Sequence, residues 1–412
     1  MNIPQYLKKL FKRIFVAILL IILIASFSSS YASLNIDNLA FVIALAIDTG
    51  ESNKLKVTFQ FTNLSSSLEN SSSEDTQVVI NTIEAPSINM AIQIMNSYMG
   101  KKLNLSHCKL IVFSEEVASE GISEYIYTLM NDSQIRPSSN IIVSKCDAKT
   151  YLKESFPSLE DLSSQYYEVF AKSNRYSGLV VNSTIGDFFN GLVCEKCSSY
   201  AILGGLNTNS DSHYILNGKR DSENMGIAVF KEDHLVGELN AIETLCFSIL
   251  RNTVKGFMLG IPILSSNDSN SSDYTNTQLQ SNQVIDIYFQ PSKPANIKVS
   301  MVNGSPFVEI NCNFNGKIHS MNAGSNYLNG NLLSEISESA NHYIASTLRE
   351  YLYKTSLQFN SDINGIGKKV SSSFLTNQEL KNINWLDNYK NSVFKVNIDC
   401  NVESGFLLTE TE

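Results

Sequence analysis

Leu39-Ala40-Phe41-Val42-Ile43-Ala44-Leu45-Ala46-Ile47-Asp48 is a near-continuous apolar run. Shortly after it, Lys54–Asn63 alternates, with Leu55, Val57, Phe59 and Phe61 on one face. The first pattern predicts a buried strand and the second a half-buried one. Working outward, a third strand is predicted around Gln77–Ile83. Pro86-Ser87 then opens a helix with Ile88, Ala91, Ile92, Met95 and Met99 on a shared face. Lys109–Phe113 reads as a short buried strand, Ile122, Tyr125, Ile126 and Leu129 as a helix stripe, and Ile141–Val143 as another strand. A helix near Ala148–Leu152 follows, then helical stretches at Leu159–Ala171 and Ile185–Val193. Such alternation of strand and helix predicts an α+β or mixed α/β body whose mixed sheets are flanked by helices.

The second half continues the pattern. Ala201–Leu206 and Gly226–Phe230 are predicted strands, the latter forming a hairpin with His234–Glu238, and Glu238–Arg251 is a predicted helix. A Ser/Asn/Asp-rich stretch, 265–277, marks an excursion or boundary. Alternating segments at Val284–Phe289, Ile297–Val302 and Phe307–Ile318 precede a long helix from about Leu332 to Leu357 and a last strand, Val393–Val402. The expected organisation is an export or anchor segment at 1–32, an α/β domain at 33–200, a middle region at 201–278 and a C-terminal α/β domain at 279–412.

The chain has 412 residues, 43% of them hydrophobic, and a formal net charge of −9. The apolar fraction excludes a disordered polymer, and the acidic balance excludes a general nucleic-acid binder, which would be basic. The figures also exclude a polytopic membrane protein. All charge before residue 33 is basic: Lys8, Lys9, Lys12 and Arg13 precede the apolar run Ile14–Ala25. This is the layout of a secretory signal. Ser30-Tyr31-Ala32 offers small residues for cleavage, and a retained N-terminal anchor is the alternative. Without residues 1–32 the body carries 27 basic and 40 acidic side chains, a net −13. An anionic lipid surface repels such a body, so it needs an anchor.

Seven cysteines (108, 146, 194, 197, 246, 312 and 400) are too scattered for a disulfide scaffold and read as mostly buried thiols. Cys194-Glu195-Lys196-Cys197 is the one CxxC; with no second ligand pair it is read as structural thiols or an incidental disulfide. Ser106-His107-Cys108-Lys109 matches SxxK but lacks the partner elements of a serine hydrolase. Gly365-Ile366-Gly367-Lys368-Lys369 lacks the spacing of a phosphate loop and reads as a turn. Asp37, Asp48, Glu115 and Glu116 are assigned to capping and helix-dipole roles. The five histidines (107, 213, 234, 319 and 342) show no metal-ligand spacing. No catalytic, cofactor or metal residue is expected.

Several of these blocks together resemble the C-subunit lipoproteins of spore germinant receptors, the Ger(x)C family. They are Leu39–Asp48 with Leu55–Phe61, Ser106–Ala118, Ile135-Arg136-Pro137 with Ile141–Val143, and Gly226–Leu239. The tail joins them, from Phe359-Asn360-Ser361-Asp362 through Trp385 to Phe394–Val402 and Gly405. The resemblance implies a three-domain, non-enzymatic extracytoplasmic protein on the outer face of the spore inner membrane. It also implies integral membrane A- and B-type receptor subunits as partners. In one place the chain departs from the family: the acylated lipobox cysteine falls on Ser30, whose hydroxyl cannot form the thioether. A solute-binding or cell-surface binding protein is the competing expectation, with Tyr166, Tyr167 and Tyr176 as candidate ligand contacts; a secreted hydrolase lacks a motif.

Overall fold

A computed structural model describes residues 5–28, 38–61, 79–155, 163–206, 222–262, 284–320, 330–370 and 384–404. The predicted opening strands are present as β1 (Leu39–Thr49), β2 (Leu55–Phe61) and β3 (Val79–Ala85). Helix α1 (Gln5–Ser28) precedes them, and α2 (Ile88–Met99) follows with the Ser87 side chain accepting from the Met90 N–H as its cap. The chain then runs through β4 (Lys102–Asn104), β5 (Leu110–Ser114), α3 (Glu115–Glu120), α4 (Ser123–Asn131), β6 (Asn140–Ser144), α5 (Ala148–Glu154), α6 (Ser163–Val169), α7 (Asn174–Ser177) and α8 (Ile185–Leu192). Three strands come next, β7 (Tyr200–Leu206), the short β8 (Ser222–Glu223) and β9 (Ile227–Lys231). They are followed by β10 (His234–Leu239) and α9 (Ala241–Leu250).

The first sheet has the order β10-β9-β7-β6-β5-β1-β2-β3. Its centre is parallel (β1, β5, β6, β7) and both margins are antiparallel, so it is mixed, as the alternation predicts. Because successive side chains leave a strand on opposite faces, each strand supplies two cores. Leu45, Ile47, Ile111, Phe113, Ile141 and Val143 pack beneath one set of helices with Ala91, Val117, Ile126 and Phe188. Ala44, Ala46, Leu110, Val112, Ile142 and Ile202 face the other way, into a core that continues without a break to Val402. The expected boundary between residues 200 and 201 falls on β7, and β9 and β10 finish the same sheet.

Helix α9 sits between the two halves. Every residue from Thr244 to Leu250 is buried, the condition of a helix packed all round. It begins at Ala241, behind the Asn240 cap, rather than at the expected Glu238, because Gly237, Glu238 and Leu239 are paired in β10. Asn240 and Glu243 form a reciprocal capping box, and Glu243 also pairs with Lys354 at 2.8 Å.

The second sheet has the order β11-β12-β13-β14, from β11 (Phe257–Pro262), β12 (Val284–Val302), β13 (Ser305–Ile318) and β14 (Val393–Glu403). The two strands expected at Val284–Phe289 and Ile297–Val302 are one strand of 19 residues. Register irregularities between Pro291 and Asn296 absorb the two prolines that interrupt its pattern. Asn303 (φ 52°) and Gly304 (φ 83°) make the two-residue turn into β13, since a primed turn needs positive φ at both positions. Helix α10 (Gly330–Tyr353) lays Ile336, Ala340, Ile344, Leu348 and Leu352 on this sheet. Two short helices complete the fold, α11 (Gly367–Val370) and α12 (Trp385–Tyr389).

Helix α1 has 24 residues, about 36 Å at 1.5 Å per residue. Its described apolar side chains, from Phe11 to Ile22, are exposed. No helix among the described residues is long and apolar enough to cross a membrane. The apolar stretch Ile14–Phe27 alone spans only about 21 Å at that rise.

Phe257 is fully buried and packs against Phe289 and Phe314, with ring centroids 5.6 Å away in both cases. Phe257→Ala is expected to cost about 3–5 kcal/mol, read as a lowered midpoint in chemical denaturation.

Candidate functional site

The two halves meet at the carboxylate of Asp362, a side chain with 0% exposure. It accepts hydrogen bonds from the Ile366 N–H (3.0 Å), the Gly367 N–H (2.7 Å) and the Trp385 indole N–H (2.8 Å). Its backbone carbonyl accepts from Ser198 N–H at 3.0 Å, and the neighbouring Ser361 hydroxyl donates to the Phe230 carbonyl at 2.6 Å. One short segment therefore holds α12 of the second half, and strand β9 and the turn ahead of β7 of the first. Burial raises the Asp362 pKa, and the three N–H donors act against that rise without cancelling it.

The Gly365–Lys369 stretch, expected as a turn without phosphate-binding geometry, does direct backbone N–H groups at an anionic group; the anion is the protein's own Asp362. Gly365 has φ +68°. At Gly367 an added Cβ would lie 2.4 Å from Trp385 Cδ1 and 2.5 Å from the Lys196 carbonyl oxygen, so only glycine fits. Lys196 belongs to the CxxC turn, in which Cys194 and Cys197 are disulfide-bonded with Cα atoms 5.5 Å apart. The CxxC is thus part of the joint, closing the turn that leaves α8.

Beside this turn lies a cleft of about 320 Å³ whose lining includes Ser123, Tyr127, Cys194, Cys197, Asp233 and Leu386. Asp233 sits at the tip of the β9–β10 hairpin, after Glu232 in the left-handed conformation (φ 56°). Its carboxylate accepts from the Ser123 hydroxyl (2.5 Å) and Ser123 N–H (3.3 Å), and pairs with His234 Nδ1 at 2.8 Å. Burial opposes its ionisation, but the Ser123 bonds and His234 outweigh that and hold its pKa below the ordinary value. Of the two carboxylates that line the cleft, Glu232 and Asp233, Asp233 is therefore already partnered within the protein.

The other sequence candidates do not converge. Asp48 accepts from Ala148 N–H (2.7 Å) and Lys149 N–H (3.0 Å), capping α5 from across the sheet, while Glu115 and Glu116 occupy the first turn of α3. Asp37, His213 and Ser30 lie outside the described residues. Lys109 pairs with Glu168 at 3.1 Å, and Ser106 donates to Asn104 at 2.5 Å, so the SxxK members face separate partners. Burial pushes the thiols of Cys108, Cys312 and Cys400 up to about 12, which keeps them unreactive. His107 packs edge-on against Phe41, His319 against Tyr288, and His342 lies 3.9 Å from Glu338. Among the described residues no group of three or more His, Cys, Asp or Glu could hold a metal ion. Tyr166 and Tyr167 adjoin, with rings 6.0 Å apart, in a buried polar cluster that includes Gln60, Tyr151 and Asn224; Tyr176 is exposed.

Two mixed sheets flanked by helices, clasped by an internal carboxylate and preceded by an apolar N-terminal helix, define an α+β body. Two family descriptions match the chain in order: "Spore germination protein N-terminal domain" over residues 33–203 and "Spore germination B3/ GerAC like, C-terminal" over 225–405. The chain belongs to this spore germination protein family, the Ger(x)C family that its sequence blocks resemble. Its fold is similar to that in a solved structure described as the crystal structure of the GerBC protein, with a TM-score of 0.51 and 17% sequence identity, over 87% of this chain and 96% of that one. No curated protein matches.

Asp362→Ala leaves three buried N–H donors without an acceptor and is expected to cost on the order of 3 kcal/mol or more in unfolding free energy. A folded-state pKa above 3.8 means the folded protein binds the proton more tightly than the unfolded chain. The Asp362 contribution is then full below pH 3.8 and declines as pH rises through the folded value. The stability gap between the native chain and Asp362→Ala, measured from pH 3 upward, is expected to narrow over that window. Gly367→Ala should destabilise the joint by steric conflict, lowering the melting temperature with Asp362 intact.

Proposed function

We propose that this chain is the C subunit of a nutrient-germinant receptor, a non-enzymatic component that works with integral membrane A- and B-type subunits to commit a dormant spore to germinate. The observation that carries the reading is the ordered match of both family descriptions, 33–203 and then 225–405, to one chain. The body would lie on the outer face of the spore inner membrane. Lys8, Lys9, Lys12 and Arg13 ahead of the apolar run support export of the body, because this is the layout of a secretory signal.

The means of attachment follows from charge and chemistry. The −13 body is repelled by anionic lipid, and Ser30 offers no thiol for a diacylglyceryl group. Attachment therefore rests on α1, whose exposed apolar side chains find no cover on the body, together with the membrane subunits. Asp362 of the joint and Asp233 of the cleft are engaged in internal hydrogen bonds, which suits a body that presents surfaces to partners.

Spores lacking this chain are expected to respond poorly to at least one nutrient. Normal germination on every nutrient, in a strain with no redundant receptor, would overturn the assignment. Cross-linking in isolated spore inner membrane, followed by affinity recovery of the full chain, is expected to bring down an integral membrane protein; recovery of the chain alone counts against it.

A further inference from the structure

The solvent face of the second sheet carries a side-chain array that its packing does not require. Inward positions of β13 and β14 meet α10 through Val308, Ile310, Cys312, Phe314, Phe394, Cys400 and Val402. The outward positions between them are Asn311, Asn313 and Asn315 on β13, and Asn397, Asp399 and Asn401 on β14. They stand in register as Asn311↔Asn397, Asn313↔Asp399 and Asn315↔Asn401. Strand β12 extends the rows, with Asn296 opposite Asn311, Lys293 opposite Asn313 and Gln290 opposite Asn315.

Asparagine and aspartate are depleted from strands, where β-branched and aromatic residues fit the pleat better. The chain is rich in Asn throughout, but a general bias does not account for all six consecutive outward positions on two paired strands. A local preference broken this regularly marks a site under another demand.

The rows are held in place by their own hydrogen bonds. Asn397 Nδ2 donates to Asn311 Oδ1 at 2.8 Å and to Glu309 Oε1 at 3.3 Å, and Asn313 Nδ2 donates to Asp399 Oδ2 at 3.0 Å. Each carboxamide has two N–H donors and a carbonyl with two acceptor sites, so these bonds use only part of its capacity. Charge is concentrated at the two ends of the array: Glu309 pairs with Lys395 at 3.3 Å beside Lys298, and Lys317 stands opposite Glu403. Within the array Lys293 and Asp399 flank Asn313 and offset one another.

We propose that this face binds a neutral polyhydroxylated polymer, a glycan strand lying flat across the rows. Sugar hydroxyls both donate and accept, as carboxamides do, and a face on which four lysines stand among three carboxylates carries too little net charge to select lipid headgroups or nucleic acid over a neutral chain. The rows are about 6.7 Å apart along the strands and about 4.8 Å apart across them, which accommodates about two or three linked sugar rings. A flat face suits an extended polymer, whereas a free small solute is held in a concave site. A protein partner would call for aromatic or aliphatic anchors, and the rows between Glu309 and Lys317 contain none.

The test uses the full chain in detergent micelles, co-sedimented with chitin and with cellulose at low salt and in 1 M NaCl. The native chain is expected to sediment with at least one of the two polymers and to stay bound in high salt. The variant Asn311→Thr/Asn313→Thr/Asn397→Thr/Asn401→Thr removes the carboxamides but installs a residue favoured in strands. It is expected to keep the native melting temperature and lose at least fivefold in bound fraction; Asn401→Thr alone, at an exposed position, serves should the quadruple variant melt lower. Native chain left in the supernatant with both polymers, release by salt, or full binding by variants that remain folded would each overturn the proposal.

Discussion

A carboxylate with no exposure to water is costly unless its oxygens are fully engaged, and Asp362 makes that cost the condition of assembly. Its donors come from a glycine-containing turn directly after it and from the chain's single tryptophan, Trp385. The indole reaches it only when α12 has packed against the turn, where the Lys196 carbonyl of the CxxC also lies close over Gly367. Ser198 and Phe230 complete the connection to the first sheet. Stretches nearly two hundred residues apart are thereby required to meet at one point, and the apolar core around them, including Tyr351 and Tyr389, closes over it.

The family's two sequence segments are not two mechanical units. The N-terminal description stops at residue 203 and the C-terminal one starts at 225, yet β9 and β10 from the second segment pair into the first sheet through β7. Ile202 stands opposite Ile227 and Tyr200 opposite Val229, so the later segment supplies the sheet's far margin. Helix α9 then carries the chain through the shared core into the second sheet. A partner that grips either half holds both.

What could be read from residues alone follows the strength of local periodicity. The apolar run of β1, the alternation of β2 and β13, and the stripe of α10 were legible because one face or both are buried continuously. Strand β11 was not, since Phe-Met-Leu-Gly-Ile-Pro is short and includes Gly260 and Pro262, residue types that strands avoid. Pro291 and Pro294 split β12 into two apparent strands because its bulges have no local signature. Asp48 was read as a cap, but its helix lies a hundred residues away and only the sheet brings them together. Asp362 was visible only as part of a family-like tail, because its partners are backbone groups and one indole that no spacing rule connects. The carboxamide rows were equally hidden: in an Asn-rich chain they become a pattern only once β13 and β14 are placed in register.

The parallel pairing of β13 with β14 has a consequence for the order in which the protein matures. Seventy-odd residues, 319–392, separate the two strands, so β14 is made well after β13. Until then β13 presents an unpaired edge from Phe307 to Lys317, and α10 lacks the strand against which it packs most closely. The body therefore passes through a period in which its C-terminal half is open and prone to pair with another chain. Rapid pairing once β14 is made, or a companion that shields that edge, is part of what this architecture demands of the cell that makes it.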